Sequence, residues 1–314
     1  MAIGKQESSI SPLFITGLTR SGKTLAAPII ASLDGVEKVN VSYEFEFIPM
    51  LRYSDSISLE SAIAAMRFIL ENKIYENEIG RNINFRLGDW TSVWNYSDPK
   101  FYIDRLSAQE GDIAFRKLEE SDGIFQLLVH DALWHAELYF SAFPNSRMLQ
   151  ISRHPVDLID SWFVKGYGGD FYQNPRNALL TIHWNENVLP YYALGWEEEY
   201  LKLSELERIV RTVETLQTKE LGVYGSLSEE RKTRVKFVKF ERLAEYPQQI
   251  LTDWVQWIGK KQTEQTFGTM TKENVPRKID ISNRKATLAK MENQIGKESY
   301  NVLLNLIDRY ESIC

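Results

Sequence analysis

A glycine-rich segment near the start of the chain has the residue types and the spacing of a phosphate-binding loop. It fits the template G-x-x-x-x-G-K-[ST], with Gly17, Gly22, Lys23 and Thr24 at the fixed positions. The two glycines permit positive φ and close backbone approach, so successive amide N–H groups can converge on an anion at the positive end of a following helix. Arg20 and Lys23 add cationic donors. The pattern predicts a phosphate site and leaves the reaction open.

Two pairs of ionisable residues lie where they could supply acid–base chemistry. Glu44 and Glu46 alternate with aromatic residues just beyond a short predicted strand, so they could line a pocket near the loop or lie in water on an edge strand. His130 and Asp131 directly follow a strongly apolar segment that predicts a buried strand. Residues just past the carboxyl end of a parallel strand face the ligand crevice. We therefore expect His130 and Asp131 to lie where chemistry occurs.

The elements that must position these residues follow the pattern of an α/β protein. The apolar residues 13–15 predict a buried strand before the loop, and residues 25–33 predict the helix after it. Residues 123–129 and 147–152 predict two further buried strands, each followed by a helix. At least three strand-to-helix units with ligand-facing loops on one side predict a three-layer, doubly wound parallel sheet with helical insertions.

Later segments extend this prediction. Residues 201–221 predict a charged amphipathic helix, residues 234–240 alternate as a last strand, and residues 247–258 predict the helix that follows. Residues 80–104 are rich in aromatic side chains and predict an irregular insertion that packs over the core or over a substrate. Residues 272–290 predict a basic, flexible stretch.

Composition narrows the functional classes. The 314 residues are 43% hydrophobic and 25% charged, as is ordinary for a globular protein, and the formal charge of −6 argues against a general nucleic-acid or membrane-surface binder. The one cysteine, Cys314, excludes an internal disulfide framework and a cysteine-based metal site, so a cytoplasmic setting is expected. The polar residues 1–11 lack a hydrophobic signal core, and no segment reaches the length of a membrane span.

No internal repeat or low-complexity linker marks a domain boundary. We therefore expect one α/β domain over residues 1–314, with residues 1–10 flexible. The sequence does not determine the oligomeric state, and a homodimer is one state that it allows.

Three segments together resemble the sulfotransferases that use 3′-phosphoadenosine-5′-phosphosulfate (PAPS). Residues 19–24 are similar to that family's 5′-phosphosulfate loop. Residues 153–161 are similar to its 3′-phosphate motif, an Arg-x-Pro-x-Asp sequence with a later serine. Residues 238–243, which contain Phe-Glu-x-Leu and precede Pro247, are similar to its late strand and helix. The segments follow each other in the family's order, whereas residues 53–123 and 165–232 match no part of it.

The resemblance implies a P-loop-like fold, PAPS as the donor, adenosine-3′,5′-bisphosphate as the product and no metal requirement. Arg20 stands where the family places a cation near the departing phosphosulfate oxygen, and Arg153 and Ser161 stand where it binds the 3′-phosphate. Arg284 and Lys285 are a loose fit to a basic loop that closes over that phosphate. The remaining loop donors implied are Thr19, Ser21, Gly22, Lys23 and Thr24. Lys23 departs from the family, which usually has serine or threonine there.

The acceptor's base is open at this stage. Some sulfotransferases use a histidine just past the strand before the Arg-x-Pro strand, which corresponds to His130, although a capping or packing role for this residue is equally open. Carbohydrate-type members use a glutamate shortly past the first helix, which points to Glu44 or Glu46. Of these candidates Glu44 is favoured, because its distance from the loop fits the carbohydrate-type pattern. The resemblance implies a hydroxyl or amine of a small-molecule or carbohydrate acceptor, whose identity the sequence does not give.

Two other functions fit parts of the sequence. An ATP-dependent P-loop kinase or phosphotransferase would use the complete loop template, with Asp131 as a magnesium ligand, but it leaves residues 153–161 unexplained. A non-catalytic nucleotide-binding protein is compatible with Lys23 in place of serine or threonine and with the open assignment of the base.

Overall fold

The computed structural model describes residues 11–96, 98–120, 122–169, 174 and 180–312. Residues 1–10, for which flexibility is predicted, and Cys314 lie outside this part of the chain. The described strands are β1 (Leu13–Thr16), β2 (Asn40–Val41), β3 (Gln126–Leu128), β4 (Arg147–Ser152), β5 (Thr181–Trp184), β6 (Asn187–Pro190) and β7 (Val235–Lys239). Strands β5 and β6 form a separate antiparallel pair.

The other five strands form one parallel sheet in the order β2-β3-β1-β4-β7. The first strand therefore lies at the centre, between β3 and β4, and the connection from β3 to β4 crosses over it. The register pairs Thr16 at the end of β1 with Gln150 in β4, and Ile15 with Leu128 in β3. Because all five strands run in one direction, the loops after β1, β3, β4 and β7 emerge along one edge.

Helices connect the strands and cover both faces of the sheet. They are α1 (Lys23–Ala31), α2 (Glu44–Tyr53), α3 (Leu59–Glu78), α4 (Pro99–Asp104), α5 (Asp112–Glu120), α6 (Ala136–Ala142), α7 (Pro155–Val164), α8 (Glu197–Lys202), α9 (Glu205–Ser226), α10 (Glu229–Lys232), α11 (Phe240–Glu245), α12 (Pro247–Ile258), α13 (Glu264–Lys272), α14 (Arg284–Glu292) and α15 (Lys297–Ser312). Short 3₁₀ turns include Val93–Asn95, Ala132–His135 and Tyr191–Ala193.

Alternation along β1 shows how the two faces are packed. Leu13 and Ile15 point into a core formed with α1 and α12, whereas Phe14 points into the opposite core formed with α3 and α6. A third apolar cluster lies around α7, α9 and α15. The sheet is thus covered on both sides, and the predicted three-layer doubly wound α/β fold is confirmed.

The structure corrects the prediction for residues 43–47. Glu44 begins α2, so this segment is helical and is not a continuation of a strand. Phe45 and Ile48 are buried, which is the spacing of one helix face. Glu44 and Glu46 lie in the first turn, where the helix dipole favours carboxylates. Five residues in which charged and aromatic side chains alternate fit the two-residue period of a strand and the roughly 3.6-residue period of a helix, so the sequence does not distinguish them.

Residues 272–290 differ from the prediction of a flexible basic stretch as well. They include the end of α13 and the start of α14. The predicted helix at residues 201–221 runs as α9 from Glu205, whose N-terminus is fixed by a capping box between Ser204 and Glu207. Helix α12 has the predicted bounds, and no helix among the described residues is long and apolar enough to cross a bilayer.

Candidate nucleotide and transfer site

The phosphate loop turns tightly between β1 and α1 because its two template glycines have no side chain. Gly17 has φ of 130°, and a Cβ atom there would lie 2.2 Å from the Ile151 carbonyl oxygen. Gly22 has φ of 107°, and a Cβ atom would lie 2.3 Å from the ring of Phe240. The first turn of α1 contains no acidic residue, so its positive end is not neutralised by its own sequence. The loop therefore presents a backbone suited to an anion.

Arg20, Arg153 and Ser161 meet beside this loop, although they come from segments far apart in the sequence. The Arg20 Nε donates to the Ser161 hydroxyl at 3.3 Å, and an Arg153 Nη1 donates to the Arg20 carbonyl oxygen at 3.3 Å. The Arg153 guanidinium also lies 5.4 Å from the centre of the Phe240 ring. Within the described ranges neither arginine forms an ion pair with a carboxylate. Two guanidinium groups with only neutral partners favour a phosphate or sulfate group between them.

Lys23 has a different role from that of a lysine directed at a phosphate. Its ammonium donates to the carbonyl oxygens of Gly17 at 2.5 Å and Leu18 at 2.8 Å, and its side chain is buried. Burial lowers the pKa of Lys23 to about 8, against the opposing effect of three carboxyl groups, Asp131, Glu46 and Glu220. Lys23 thus braces the loop from within.

A cavity of about 410 Å³ opens next to the loop. Its walls come from the loop and α1, from the ends of β2 and β3, and from the aromatic insertion. The lining residues are Thr19, Arg20, Gly22, Lys23, Thr24, Val41, Tyr43, Asp89, Trp90, Thr91, Leu128 and His130. The insertion lines part of this cavity through residues 89–91, while Val93 and Tyr102 are buried, as expected for a segment that packs over the core.

His130 faces this cavity with its ring held from behind by Glu46. The His130 Nδ1 and the His130 backbone N–H both lie 2.8 Å from the same Glu46 Oε1. An ionised carboxylate only accepts hydrogen bonds, so Nδ1 is the donor, and in the neutral imidazole Nε2 is the nitrogen with the lone pair. The turn after β3 is fixed further because the Ala132 N–H donates to the Thr16 hydroxyl at 2.9 Å. This arrangement can accept a proton at a defined atom.

Glu44 is directed elsewhere. Its carboxylate accepts from the Ser42 hydroxyl at 2.6 Å and lies 3.4 Å from the Lys73 ammonium. Partial burial acts to raise the pKa of Glu44, but the hydrogen bond from Ser42 and the charge of Lys73 outweigh it and lower the pKa. The side chain is about half exposed, at 49%, and it is not among the residues that line the cavity.

Asp131 lies behind the cavity. It has φ of 53°, it is buried, and its Oδ2 accepts from the Tyr191 hydroxyl at 3.0 Å. Burial raises the pKa of this carboxyl, while the neighbouring charges of His130 and Lys23 act in the opposite direction. Within the described ranges no group of three or more histidine, cysteine or acidic side chains is arranged as a metal site.

Arg284 and Lys285 occupy the first turn of α14. The Arg284 guanidinium donates to the carboxylates of Asp157 at 2.6 Å and Glu241 at 3.1 Å, so its charge is already balanced. Lys285 is exposed. The structure therefore brings Arg284 close to the 3′-phosphate motif through Asp157, but it does not bring its guanidinium together with Arg20 and Arg153.

The other loop residues differ in their contacts and exposure. The Thr19 carbonyl oxygen accepts from the Trp162 indole at 2.8 Å, Thr24 is exposed, and the Ser21 hydroxyl is buried without a protein partner. Phe240, the first residue of the Phe-Glu-x-Leu segment, was not predicted as a site residue; it lies directly past the carboxyl end of β7. The rule for strand ends that points to His130 applies there as well.

No family model and no curated protein sequence matches the chain. Solved structures match at low identity. The sulfotransferase domain from the curacin biosynthetic pathway is 14% identical, with 96% of this chain and 98% of that chain covered and a TM-score of 0.48. The sulfotransferase domain from the Synechococcus PCC 7002 olefin synthase is 13% identical, with 99% and 100% covered and a TM-score of 0.46.

A sulfotransferase from Alicyclobacillus acidocaldarius is 16% identical, with 96% of this chain and 97% of that chain covered and a TM-score of 0.40. All three are sulfotransferases.

Proposed function

We propose that the chain is a transferase that moves a sulfuryl group from PAPS to a hydroxyl or amine of a small-molecule or carbohydrate acceptor. The observation that carries this proposal is the meeting of Arg20, Arg153 and Ser161 at the phosphate loop. A nucleotide with phosphate groups at its 5′ and 3′ positions would bind the loop and Arg20 with its 5′-phosphate, and Arg153 and Ser161 with its 3′-phosphate. ATP has no 3′-phosphate and would leave Arg153 and Ser161 without a ligand group.

The residues present fit such a nucleotide. Gly17 and Gly22 let the loop pack against Ile151 and Phe240, where a Cβ atom would clash, and the first turn of α1 contains no acidic residue that would oppose an anion at the positive end of the helix. The hydrogen bond between Arg20 and Ser161 joins a cation to a neutral hydroxyl, so Arg20 can exchange it for a stronger charge-assisted bond to the 5′-phosphate, and Ser161 can then donate to the 3′-phosphate. Arg153, with a neutral carbonyl and an aromatic ring as partners, is available in the same way.

Sulfuryl transfer requires one bond to sulfur to break as another forms. The bond between sulfur and the 5′-phosphate oxygen breaks, and the acceptor oxygen or nitrogen forms the new bond. Negative charge develops on the departing phosphate oxygen, where Arg20 and the N-terminus of α1 can stabilise it. The acceptor's proton passes to a base, and the product nucleotide is adenosine-3′,5′-bisphosphate.

We assign this base to His130, with Glu46 as the group that orients it. His130 lines the cavity, its Nδ1 is held by Glu46, and its Nε2 is therefore the atom that can take the proton. Glu44, which the sequence favours, is paired with Ser42 and Lys73 and lies outside the cavity lining. The geometry therefore supports His130 over Glu44 for this role.

A thermal-shift experiment compares the proposal with its main alternative. Adenosine-3′,5′-bisphosphate without metal should raise the melting temperature of the wild type, and Arg153→Ala should abolish most of that shift. Arg147→Ala, at the opposite end of β4, is the matched control and should retain it. Stabilisation only by ATP with magnesium would support the kinase alternative and contradict the proposal. A chain that binds the bisphosphate but transfers no sulfuryl group from PAPS to any acceptor tested would support the non-catalytic alternative.

Several expectations from the sequence stay predictions. They are a single domain over the whole chain, a cytoplasmic setting, no nucleic-acid partner and no metal requirement. Activity that is unchanged by a chelator such as EDTA would agree with the last of these, and activity restored only by added magnesium would contradict it.

A further inference from the structure

A second cavity, of about 40 Å³, lies where the phosphate loop, β4 and α9 meet. Four side chains that line it each carry a buried polar atom without a hydrogen-bond partner in the protein. These atoms are Ser21 Oγ, Gln150 Oε1, Arg153 Nε and Glu220 Oε1. Buried polar groups are nearly always hydrogen-bonded, so four such atoms around one cavity indicate a bound polar occupant.

The size and the chemistry of the cavity fit water. A buried water needs roughly 10–15 Å³ of such volume and two to four polar partners, so the cavity has room for two or three molecules. Arg153 Nε is a donor, Gln150 Oε1 is an acceptor, and the Ser21 hydroxyl can act as either. This mixture suits water, which donates and accepts equally. It suits a metal cation poorly, because the Arg153 guanidinium is itself positive.

Glu220 links this cavity to the buried charges around the loop. Its Oε2 accepts from the Gln150 Nε2 at 3.0 Å, which leaves its Oε1 facing the cavity. Burial raises the pKa of Glu220 to about 8, and the nearby Asp131 carboxyl acts in the same direction. At neutral pH the carboxyl is therefore protonated, and its Oε1–H can donate to a water. The other ionisable groups around Glu220 are Lys23, Asp131, Arg153, Tyr191, Arg309 and Tyr310.

We propose that the cavity holds a cluster of two or three waters and that Glu220, through these waters, is a positioning residue for Ser21 and Arg153. Ser21 belongs to the phosphate loop, and Arg153 belongs to the 3′-phosphate motif. One buried water cluster would thus fix the distance between the phosphate loop and the 3′-phosphate motif. The inference rests on the proposed function only for the identity of the nucleotide.

The protonation of Glu220 then matters for anion binding. In its neutral form the carboxyl donates to the cluster and adds no charge. When it ionises, it places a negative charge behind Arg153 and turns from donor to acceptor, so both the local potential and the hydrogen-bond pattern become less favourable for a bound phosphate. Lys23 titrates in the same pH range, so the effect of Glu220 must be measured as a difference between variants.

A crystal structure of the wild type at water-resolving resolution tests the cluster directly. It should show waters that bridge Ser21 Oγ, Arg153 Nε and Glu220 Oε1. A cavity that is dry, or that is closed by side chains in other rotamers, would overturn the inference. This experiment requires no ligand and no variant.

Titration calorimetry with adenosine-3′,5′-bisphosphate between pH 6.5 and 9 tests the role of Glu220. Affinity should fall with pH about fivefold more in the wild type than in Glu220→Gln, whose side chain copies the protonated carboxyl. Glu214→Gln, on the same helix and paired at the surface with Arg211, is the control and should follow the wild type. Parallel profiles for the wild type and Glu220→Gln would overturn the positioning role.

These outcomes are distinguishable from failure of the proposed function. If the wild type binds no bisphosphate at any pH, the function is wrong, whereas the waters seen in the crystal still decide the cluster. If binding is normal but does not depend on Glu220, only the further inference is lost.

Discussion

The two sides of the proposed site, one for the nucleotide and one for the acceptor, are built in different ways. Arg20 and Arg153 follow β1 and β4, which are neighbours in the sheet, and they are joined by direct contacts. The acceptor side combines His130 with the insertion residues Asp89, Trp90 and Thr91 and with Tyr43 at the start of α2. Under the proposed function, strand ends would form the part that recognises the nucleotide, and longer connections would form the part that fits the acceptor.

The two sides also differ in packing and exposure. On the nucleotide side the loop is braced by the buried Lys23 and packed against Ile151 and Phe240. On the acceptor side Tyr43 is 61% exposed and Trp90 is 45% exposed. A rigid nucleotide site beside a more open aromatic surface predicts that substitutions on the first side change nucleotide binding, and that substitutions on the second change acceptor use or the transfer step alone.

The largest effect is expected from replacing His130, which should change the transfer rate and leave nucleotide binding unchanged. Replacing His130 by alanine removes the base without touching the nucleotide side, so kcat should fall by about 10²- to 10⁴-fold while bisphosphate affinity changes little. Glu46→Gln should cause a smaller loss, because the ring keeps its position but loses its charged partner. Rates are measured with saturating PAPS, His183→Ala on the exposed face of β5 is the control, and an equal loss in Glu44→Gln would return the role to Glu44.

The next largest effect concerns the free energy of unfolding and tests Glu220, which is buried near the phosphate loop. The folded-state pKa of Glu220 is raised from 4.5 to about 8. Between these two values the folded chain binds the extra proton, so this group's contribution lowers the free energy of unfolding as pH rises from about 5 to 8. Glu220→Gln has no titrating carboxyl at this position. Between pH 5 and pH 8 its free energy of unfolding should therefore increase by about 3 kcal/mol relative to that of the wild type. Denaturant unfolding at pH 5 and pH 8 measures it, and an unchanged difference between the two chains would contradict the assignment.

Arg153→Ala should have the next largest effect, confined to the nucleotide side. It removes a charged donor to phosphate, so bisphosphate binding should weaken by at least ~1.5 kcal/mol. Calorimetry with the Arg147→Ala control measures this change. Unchanged affinity would remove the 3′-phosphate assignment.

Trp90→Ala should have the smallest effect, confined to the acceptor side. Loss of an aromatic contact of about 1 kcal/mol predicts a KM for acceptor that rises roughly fivefold with bisphosphate affinity unchanged. Steady-state kinetics on an acceptor with an aromatic ring gives the number. A parallel loss of bisphosphate affinity would show that the two sides are not independent.

Much of the nucleotide side could be predicted from the sequence, because the loop and the 3′-phosphate motif are short segments with fixed spacing. Their contact could not be predicted, since it depends on β4 pairing with β1 instead of with another strand. The acceptor side was harder. Residues 43–47 fit both strand and helix periods, and only the helix turns Glu46 toward His130 and Glu44 toward Lys73.

Arg284 and Glu220 show a second limit of the sequence. Arg284 is paired with Asp157 and Glu241, which belong to two other helices. No local sequence pattern predicts these pairs. Glu220 and Arg208 are the buried charged residues of α9, and the burial of Glu220 near the loop follows only from the packing of α9 in the fold.

The most direct test of the central claim is a comparison of two nucleotides that differ only at the 3′ position. Calorimetry should show that adenosine-3′,5′-bisphosphate binds the wild type at least about tenfold more tightly than adenosine-5′-monophosphate, because the 3′-phosphate gains charge-assisted bonds to Arg153 and Ser161. Equal affinities for the two nucleotides would contradict the account.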